Sequence, residues 1–179
     1  MPEMKDSGPQ KTSSSTRVYR TGIGYDSHRF APGGPLILGG VSIESSVHLH
    51  GHSDADAVAH AVTDAILGAC AAGDIGEMFP DTSAENRGRD SMEMLRLAVR
   101  QVNQNGATIV NVDVTVVAEL PKIGPYRADM SAALAQALSI PFDCVSIKGK
   151  TNEGMGWIGR GEGIACIAVA TVATETRDA

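Results

Sequence analysis

From Thr108 to Leu120 the chain alternates between two kinds of residue, and no other segment restricts the possible folds so much. In an extended chain, Val110, Val112, Val114, Val116 and Ala118 fall on one side, and Asn111, Asp113, Thr115 and Glu119 on the other. Side chains alternate across a strand, so this stretch predicts a long strand, ended by Pro121, with one face in a core. The other face is wet or set against a polar partner. A sheet with one buried face needs a second layer to cover it, and Ser53 to Ala72 has the pattern of one. Ala57, Val58, Ala61, Val62, Ala65, Ile66 and Ala69 form a helical apolar stripe, Gly73 ends it, and Ser53 with Asp56 makes an S-x-x-D capping pattern at its start.

Further strands are predicted at Val18–Gly24, Cys144–Lys148 and Ile164–Val172, with a short hairpin of Leu36–Leu38 and Val41–Ile43 after the Pro32-Gly33-Gly34-Pro35 loop. A second helix runs from Ser91 to Asn103 and a third from Pro125 to Leu138, while residues 74–90 read as loop. The expectation is an α+β fold of two layers, a mixed β-sheet with helices on one face, forming a single domain over residues 18–179. Residues 1–17, rich in Ser, Pro and Lys and without an apolar signal segment, read as a disordered tail.

Composition narrows the function. Of the 179 residues, 21 are acidic and 15 basic, a formal charge of −6, and only 4% are aromatic. Binding of nucleic acid calls for the opposite charge balance, or for aromatic stacking platforms, so no nucleic-acid partner is expected. No apolar run reaches the roughly 18 residues of a membrane span, so no membrane partner is expected either. Cys70, Cys144 and Cys166 are dispersed, with no C-x-x-C pair, and read as buried free thiols of a reducing, cytoplasmic compartment.

Three groups of residues have chemical potential. Asp26 and His28 are two apart in an extended segment, so both point to one side and offer a carboxylate and an imidazole to a divalent metal. Taken alone, D-x-H is more often a turn Asp beside a surface His. His60 lies four residues from both Asp56 and Asp64 on the helix and would complete an Asp-His-His trio, the carboxylates serving to orient its ring. A salt-linked His on a solvated face fits the same spacing. His52 and Ser53 sit at the expected helix start, where free backbone N–H groups favour an anion. All five histidines fall between residues 28 and 60. The third group, Lys122, Lys148, Lys150, Thr151, Asn152, Glu153 and Arg160, suits phosphates, with Glu153 able to hold a hard cation against them, although each taken separately is more often a surface charge. Gly154 to Gly159 matches G-x-G-x-x-G, but a strand rather than a helix follows, so a dinucleotide fold is rejected.

Six motifs in order, G-I-G-Y-D-S-H, H-S-D-A-D-A-V-A-H, G-D-I-G-E-M-F-P-D-T, N-V-D-V-T-V-V-A, P-K-I-G-P and G-R-G-E-G-I-A-C, make the chain from Arg20 to Thr171 resemble the 2-C-methyl-D-erythritol 2,4-cyclodiphosphate synthase family. The resemblance implies a homotrimer assembled around packed sheets, with active sites between subunits. It implies zinc on Asp26, His28 and His60, with Ser27 beside them, and Mg²⁺ or Mn²⁺ on Glu153 with the substrate diphosphate. His52 and Thr151 would stabilise the transition state, with Ser53 on a phosphate. Asp74, Ile75, Gly76, Phe79, Pro80, Asp81, Thr82 and Ser83 would meet the methylerythritol part. Ala118, Glu119, Leu120, Pro121, Lys122, Ile123 and Gly124 would form the cytosine and ribose pocket, with Lys122 near the phosphates, and Lys150 and Asn152 would also contact substrate. Trp157 and Arg160 would border a central cavity for an isoprenoid diphosphate.

The implied reaction is attack of the substrate's 2-phosphate on its own β-phosphorus, closing the cyclic diphosphate and releasing CMP in the non-mevalonate isoprenoid pathway. The chain departs from the family pattern at Asn152, where T-T-x-E becomes Lys150-Thr151-Asn152-Glu153, at Trp157, and at Gly124, which removes a side chain from the nucleotide loop. Two other readings share the same residues: a non-catalytic trimer binding metal and isoprenoid diphosphate, and a metal-dependent phosphohydrolase.

Overall fold

The computed structural model describes residues 16–175. Of the tail expected over 1–17, all but Thr16 and Arg17 lies outside the described residues. In chain order the elements are β1 (Arg17–Pro32), β2 (Leu36–Leu38), β3 (Val41–Ile43), β4 (Val47–Leu49), α1 (Ala57–Ala69), α2 (Ile75–Met78), α3 (Ser91–Gln104), β5 (Ala107–Val117), α4 (Arg127–Leu138), β6 (Val145–Lys150), α5 (Gly156–Gly159) and β7 (Gly163–Glu175). Five strands form one mixed sheet in the order β4-β1-β7-β5-β6, and β2 pairs with β3 in a separate hairpin. Among the described residues only the β5–β6 pair is parallel, and α4 lies in the crossover between those two strands.

β1 is far longer than the expected Val18–Gly24, because β7 pairs with it from Arg17 opposite Glu175 to Arg29 opposite Gly163. β5 begins and ends close to expectation, but its alternation breaks. The register with β7 shifts between Ile109 and Asn111, so Val110 drops out of the buried row. Ala107 and Ile109 are buried before the shift, and Val112, Val114 and Val116 after it. A bulge of one residue exchanges the two faces.

The helices cover one face of the sheet, as expected: α1 lies on β1 and β7, and one continuous cluster joins α1, α3 and α4 to the inner side chains of the strands. The other face is open, with Tyr19, Ile23, Tyr25 and Ile167 exposed on it beside polar groups such as the Asp113–Lys148 ion pair.

α1 is shorter than the expected Ser53–Ala72. Ala55 has φ of 59° and Ala71 φ of 52°, left-handed values that no helix contains, so the helix fits only between them. The cap is Asp56 rather than Ser53, and its carboxylate accepts from Val58 and Ala59 N–H. It also accepts from Gly39 and Gly40 N–H at 2.8 and 2.7 Å, tying the β2–β3 turn to the helix start. Ala59, Thr63 and Leu67 are buried as completely as the expected stripe, because α1 is packed between the sheet and α3. Of the three cysteines only Cys166 is fully buried, while Cys70 and Cys144 are half-buried, and all three are free.

Candidate functional site

Gly22 and Gly24 alternate on β1 with Asp26 and His28, all on the strand face turned to α1. A Cβ at Gly24 would lie 1.9 Å from the Ala61 carbonyl, and one at Gly22 would lie 2.1 Å from that of Ala65. The missing side chains let α1 lie directly on β1, and that contact brings His60 to Asp26 and His28.

The three side chains converge. Asp26 Oδ2 lies 2.9 Å from His28 Nε2 and 3.3 Å from His60 Nδ1, and the two nitrogens are 3.3 Å apart. His28 Nδ1–H donates to the His50 carbonyl at 3.0 Å. A carbonyl only accepts, so in the neutral ring Nε2 carries a lone pair and turns it to Asp26. Asp26 Oδ2 is buried and accepts no hydrogen bond. Lone pairs facing one another at this range, out of water, need a positive charge between them. Neighbouring ligands on a tetrahedral cation with bonds of about 2.0–2.1 Å stand about 3.3 Å apart, close to the spacings found. Asp26, His28 and His60 therefore fit a metal ion, each offering one ligand atom within 4.8 Å of the others.

Without a metal, the same arrangement favours a proton. Burial disfavours the His28 imidazolium, but Asp26 beside it outweighs burial and holds the His28 pKa above its usual value. Burial likewise opposes the Asp26 carboxylate, and the neighbouring His28 and His60 rings hold it well below the usual carboxylate range.

The sequence-based neighbours of His60 are elsewhere. Asp56 is fully buried as the α1 cap, and the half-buried Asp64 accepts from Ile75 N–H at 2.8 Å. His60 Nε2 instead meets the hydroxyls of Ser53, at 3.0 Å, and Ser91, at 2.9 Å. His52 and Ser53 precede the helix rather than start it, and the α1 N–H groups expected to favour an anion there are already taken up at Val58 and Ala59 by Asp56.

A cleft of about 260 Å³ opens beside His28 and His60, lined also by His52, Ser53, Ile75, Gly76, Phe79 and Asp81. A second of about 540 Å³ shares His52 and Asp81 with it and reaches Thr82 and Ser83. Asp74 caps the short α2, and the Pro80 carbonyl accepts from buried Asn86 at 2.9 Å. Ser27 is exposed between two half-buried neighbours, on the opposite face of the strand from Asp26 and His28.

The nucleotide-loop residues gather around a different cleft of about 150 Å³, lined by Ala118, Pro121, Lys122, Ile123, Gly124, Lys150 and Thr151, with Arg127. Glu119 accepts from the N–H groups of Asn152 and Gly154, which shapes the turn carrying Thr151 and Glu153. Thr151 Oγ1 donates to Glu153 Oε1 at 2.7 Å. Leu120 is exposed, Trp157 lies on α5, and Arg160 pairs with Glu162 at 2.6 Å.

This cleft shares no residue with the two beside the trio. Asp26, Cys166, Val116 and Gly149 stand opposite one another across four strands, which puts Gly149 about 14 Å from Asp26 at three strand spacings. Within one chain the structure leaves the two halves apart.

The profile of the YgbB family matches residues 19–173. The chain belongs to that family. A curated relative from Gemmatimonas aurantiaca named 2-C-methyl-D-erythritol 2,4-cyclodiphosphate synthase is 58% identical over 155 residues, 87% of this chain and 93% of its own length. Among solved structures, the bifunctional IspDF from Campylobacter jejuni superposes with a TM-score of 0.86 at 38% identity over 89% of this chain, which spans 43% of that longer protein. A Plasmodium falciparum IspF complex with CDP gives a TM-score of 0.77 at 35% identity, covering 88% of this chain and 97% of that one.

For this member of the YgbB family, sequence reading missed the groups hydrogen-bonded to the trio, the His50 carbonyl and Ser91, and Asp54 behind Ser91. A backbone carbonyl leaves no trace in residue type, and Ser91 is 31 positions from His60. G-I-G before Tyr25-Asp26 was the one local signal of a helix pressed against the strand.

Proposed function

We propose that this chain converts 4-diphosphocytidyl-2-C-methyl-D-erythritol 2-phosphate into 2-C-methyl-D-erythritol 2,4-cyclodiphosphate and CMP, a phosphorus–oxygen lyase step in non-mevalonate isoprenoid biosynthesis. The observation that carries this reading is the 58% identity across 93% of a relative bearing the synthase name. An oxygen of the 2-phosphate forms a new bond to the β-phosphorus, and the bond from that phosphorus to the CMP oxygen breaks. Attacking and leaving groups belong to one molecule, so the chain needs no covalent nucleophile. Its task is to fold the substrate and to offset charge.

In this reading Asp26, His28 and His60 hold zinc, and Glu153 holds Mg²⁺ or Mn²⁺ with the diphosphate. When bound, the two cations supply positive charge that offsets repulsion between the approaching phosphates. Ser53 donates to a phosphate oxygen, while His52 and Thr151 donate to the oxygens that gain charge at the transition state. Phe79, Pro80 and the Asp81 to Ser83 segment enclose the methylerythritol part. The loop from Ala118 to Gly124 receives the cytidine, with Lys122 and Lys150 towards the phosphates.

The separation of the two halves supports a homotrimer in which the trio of one subunit faces the nucleotide loop of the next. The open sheet face with Tyr19, Ile23, Tyr25 and Ile167 supports burial against other copies. A central cavity near Trp157 and Arg160, holding an isoprenoid diphosphate, belongs to the same reading, as does a cytoplasmic site for so highly charged a substrate.

The test is phosphorus NMR of the purified protein with Mg²⁺ and the cytidyl diphosphate substrate. Paired cyclic-diphosphate resonances arising together with CMP, and lost on chelation, are expected. CMP with an open bisphosphate, or no turnover by the metal-loaded protein, would overturn the assignment.

A further inference from the structure

His60 is oriented by side chains from outside its own helix, and the hydrogen bonds there can be assigned proton by proton. Ser91, the first residue of α3, places its hydroxyl on Asp54 Oδ1, and its backbone N–H donates to Asp54 Oδ2 at 3.3 Å. A carboxylate only accepts, and a serine hydroxyl has one proton. That proton is therefore committed to Asp54. Ser91 Oγ can then meet His60 Nε2, 2.9 Å away, only as an acceptor, so Nε2 carries the hydrogen. In the neutral ring the lone pair is left on Nδ1, the nitrogen 3.3 Å from Asp26 Oδ2. Ser53 accepts from Ala55 N–H at 3.1 Å, and its own proton can go to Ser91 Oγ, 3.1 Å away, or to His60 Nε2, 3.0 Å away, so Ser53 by itself does not decide the tautomer.

The assignment matters because Asp26 pulls the other way. Its carboxylate is an acceptor aimed at Nδ1, and a neutral His60 left to itself would place the hydrogen there. A protonated Nδ1 cannot bind a metal. We propose that Asp54 and Ser91 are positioning residues which hold the His60 hydrogen on Nε2, keep Nδ1 open, and so set the affinity of the Asp26-His28-His60 site for its cation. The inference rests on the metal reading of that site. The corresponding support for His28 is the His50 backbone carbonyl, so Asp54 and Ser91 form the arm that substitution can test. It is firmly based: Asp54 N–H donates to the Arg89 carbonyl at 3.1 Å, and Gly88 N–H to that of His52 at 2.7 Å, lacing the two loops together.

The experiment uses the full chain as wild type, Ser91→Ala and Asp54→Asn. Zinc affinity is read by competition with a chromophoric chelator, and the His60 tautomer by ring nitrogen NMR of the chelated protein at a pH where the rings are neutral. Wild type binds zinc; both variants bind about 10- to 100-fold more weakly, the range for lost outer-shell partners, and their His60 hydrogen moves towards Nδ1. A wild type that takes up no zinc overturns the metal reading and this inference together. Zinc bound by wild type and by both variants within twofold, with the tautomer unmoved, overturns the inference alone. A purely structural role for Ser91 is separated by the same data, because it lowers the melting temperature and leaves affinity and tautomer where they were.

Discussion

Replacing Gly24 by Ala tests whether the close approach of α1 to β1 builds the metal site. The added Cβ would stand 1.9 Å from Ala61 O and 2.7 Å from Ala65 N. Both are backbone atoms of α1, so neither can turn aside as a side chain would. Ordinary carbon contacts begin near 3.4 Å, so α1 must retreat by about 1.5 Å at Ala61, or β1 must bend by as much. His60 is the residue before Ala61. Metal–ligand distances tolerate deviations of only about 0.2 Å, several times less than that displacement. We expect Gly24→Ala to destabilise the metal-free protein by about 2–3 kcal/mol, as overpacked cores do, and to weaken zinc binding at least about tenfold. Denaturant unfolding with a chelator present measures the first, and chelator competition the second. Gly68→Ala is the control within the same helix. Its Cβ meets nothing closer than Ile23 O at 3.8 Å, so the substitution is expected to raise stability by about 0.5–1 kcal/mol through helix propensity and to leave zinc binding unchanged. If Gly24→Ala behaves like Gly68→Ala in both assays, the helix is not held against the strand as described.

Three further outcomes are expected. Asp56→Ala leaves the N–H groups of Gly39, Gly40, Val58 and Ala59 without their acceptor, and at about 1–3 kcal/mol for each buried unsatisfied group, shared among neighbours, the loss is about 4 kcal/mol; urea unfolding that finds less than about 1 kcal/mol refutes the cap. The raised His28 pKa contributes stability that is fully present below its unfolded value of about 6.5 and is lost as pH rises through the folded value. In chelator, the melting temperature of wild type relative to His28→Gln therefore rises as pH falls from about 8 to 6, while with zinc it falls, since protons compete for His28 and His60; the same slope in both conditions would contradict the site. Mixing inactive His60→Ala and Thr151→Ala subunits and reassembling them restores roughly a quarter of wild-type turnover if each site joins the trio of one chain to the Thr151 loop of the next in a random trimer, whereas sites contained within one chain restore none.

What could be read from sequence was whatever repeats over a few residues. The alternation of β5 from Val112 onward, the two-residue spacing of Asp26 and His28, and the helical spacing that put His60 on a polar position of α1 survive in the structure. Errors began where a distant group decides the local outcome. Ser53 has the spacing of a cap, but Asp56 takes that position because two glycine N–H groups, 16 and 17 residues earlier, also need its carboxylate. The β5 bulge is set by pairing with β7, so nothing within Thr108–Leu120 betrays that Val110 leaves the buried row. The site behaves in the same way. Asp56 and Asp64 are at the right helical spacing to orient His60, yet both are occupied elsewhere, and the orienting groups come from Asp54 and, 37 residues further on, Ser91.

The division of the site follows from the sheet order and is the least legible feature of all. Motifs that follow one another in sequence suggest one pocket, but β7, the last strand, inserts between β1 and β5 and separates the trio from the nucleotide loop. A fold that places its final strand centrally can finish the sheet only after every catalytic segment has been laid down. Asp26 and Thr151 then end on opposite sides of that strand. On the proposed reaction, phosphates only a few bonds apart in one substrate must meet both groups, and a single chain in which Gly149, two residues before Thr151, stands about 14 Å from Asp26 does not bring them together. Side-by-side packing of open sheet faces would join unlike halves of neighbouring chains, so catalysis on this reading requires assembly.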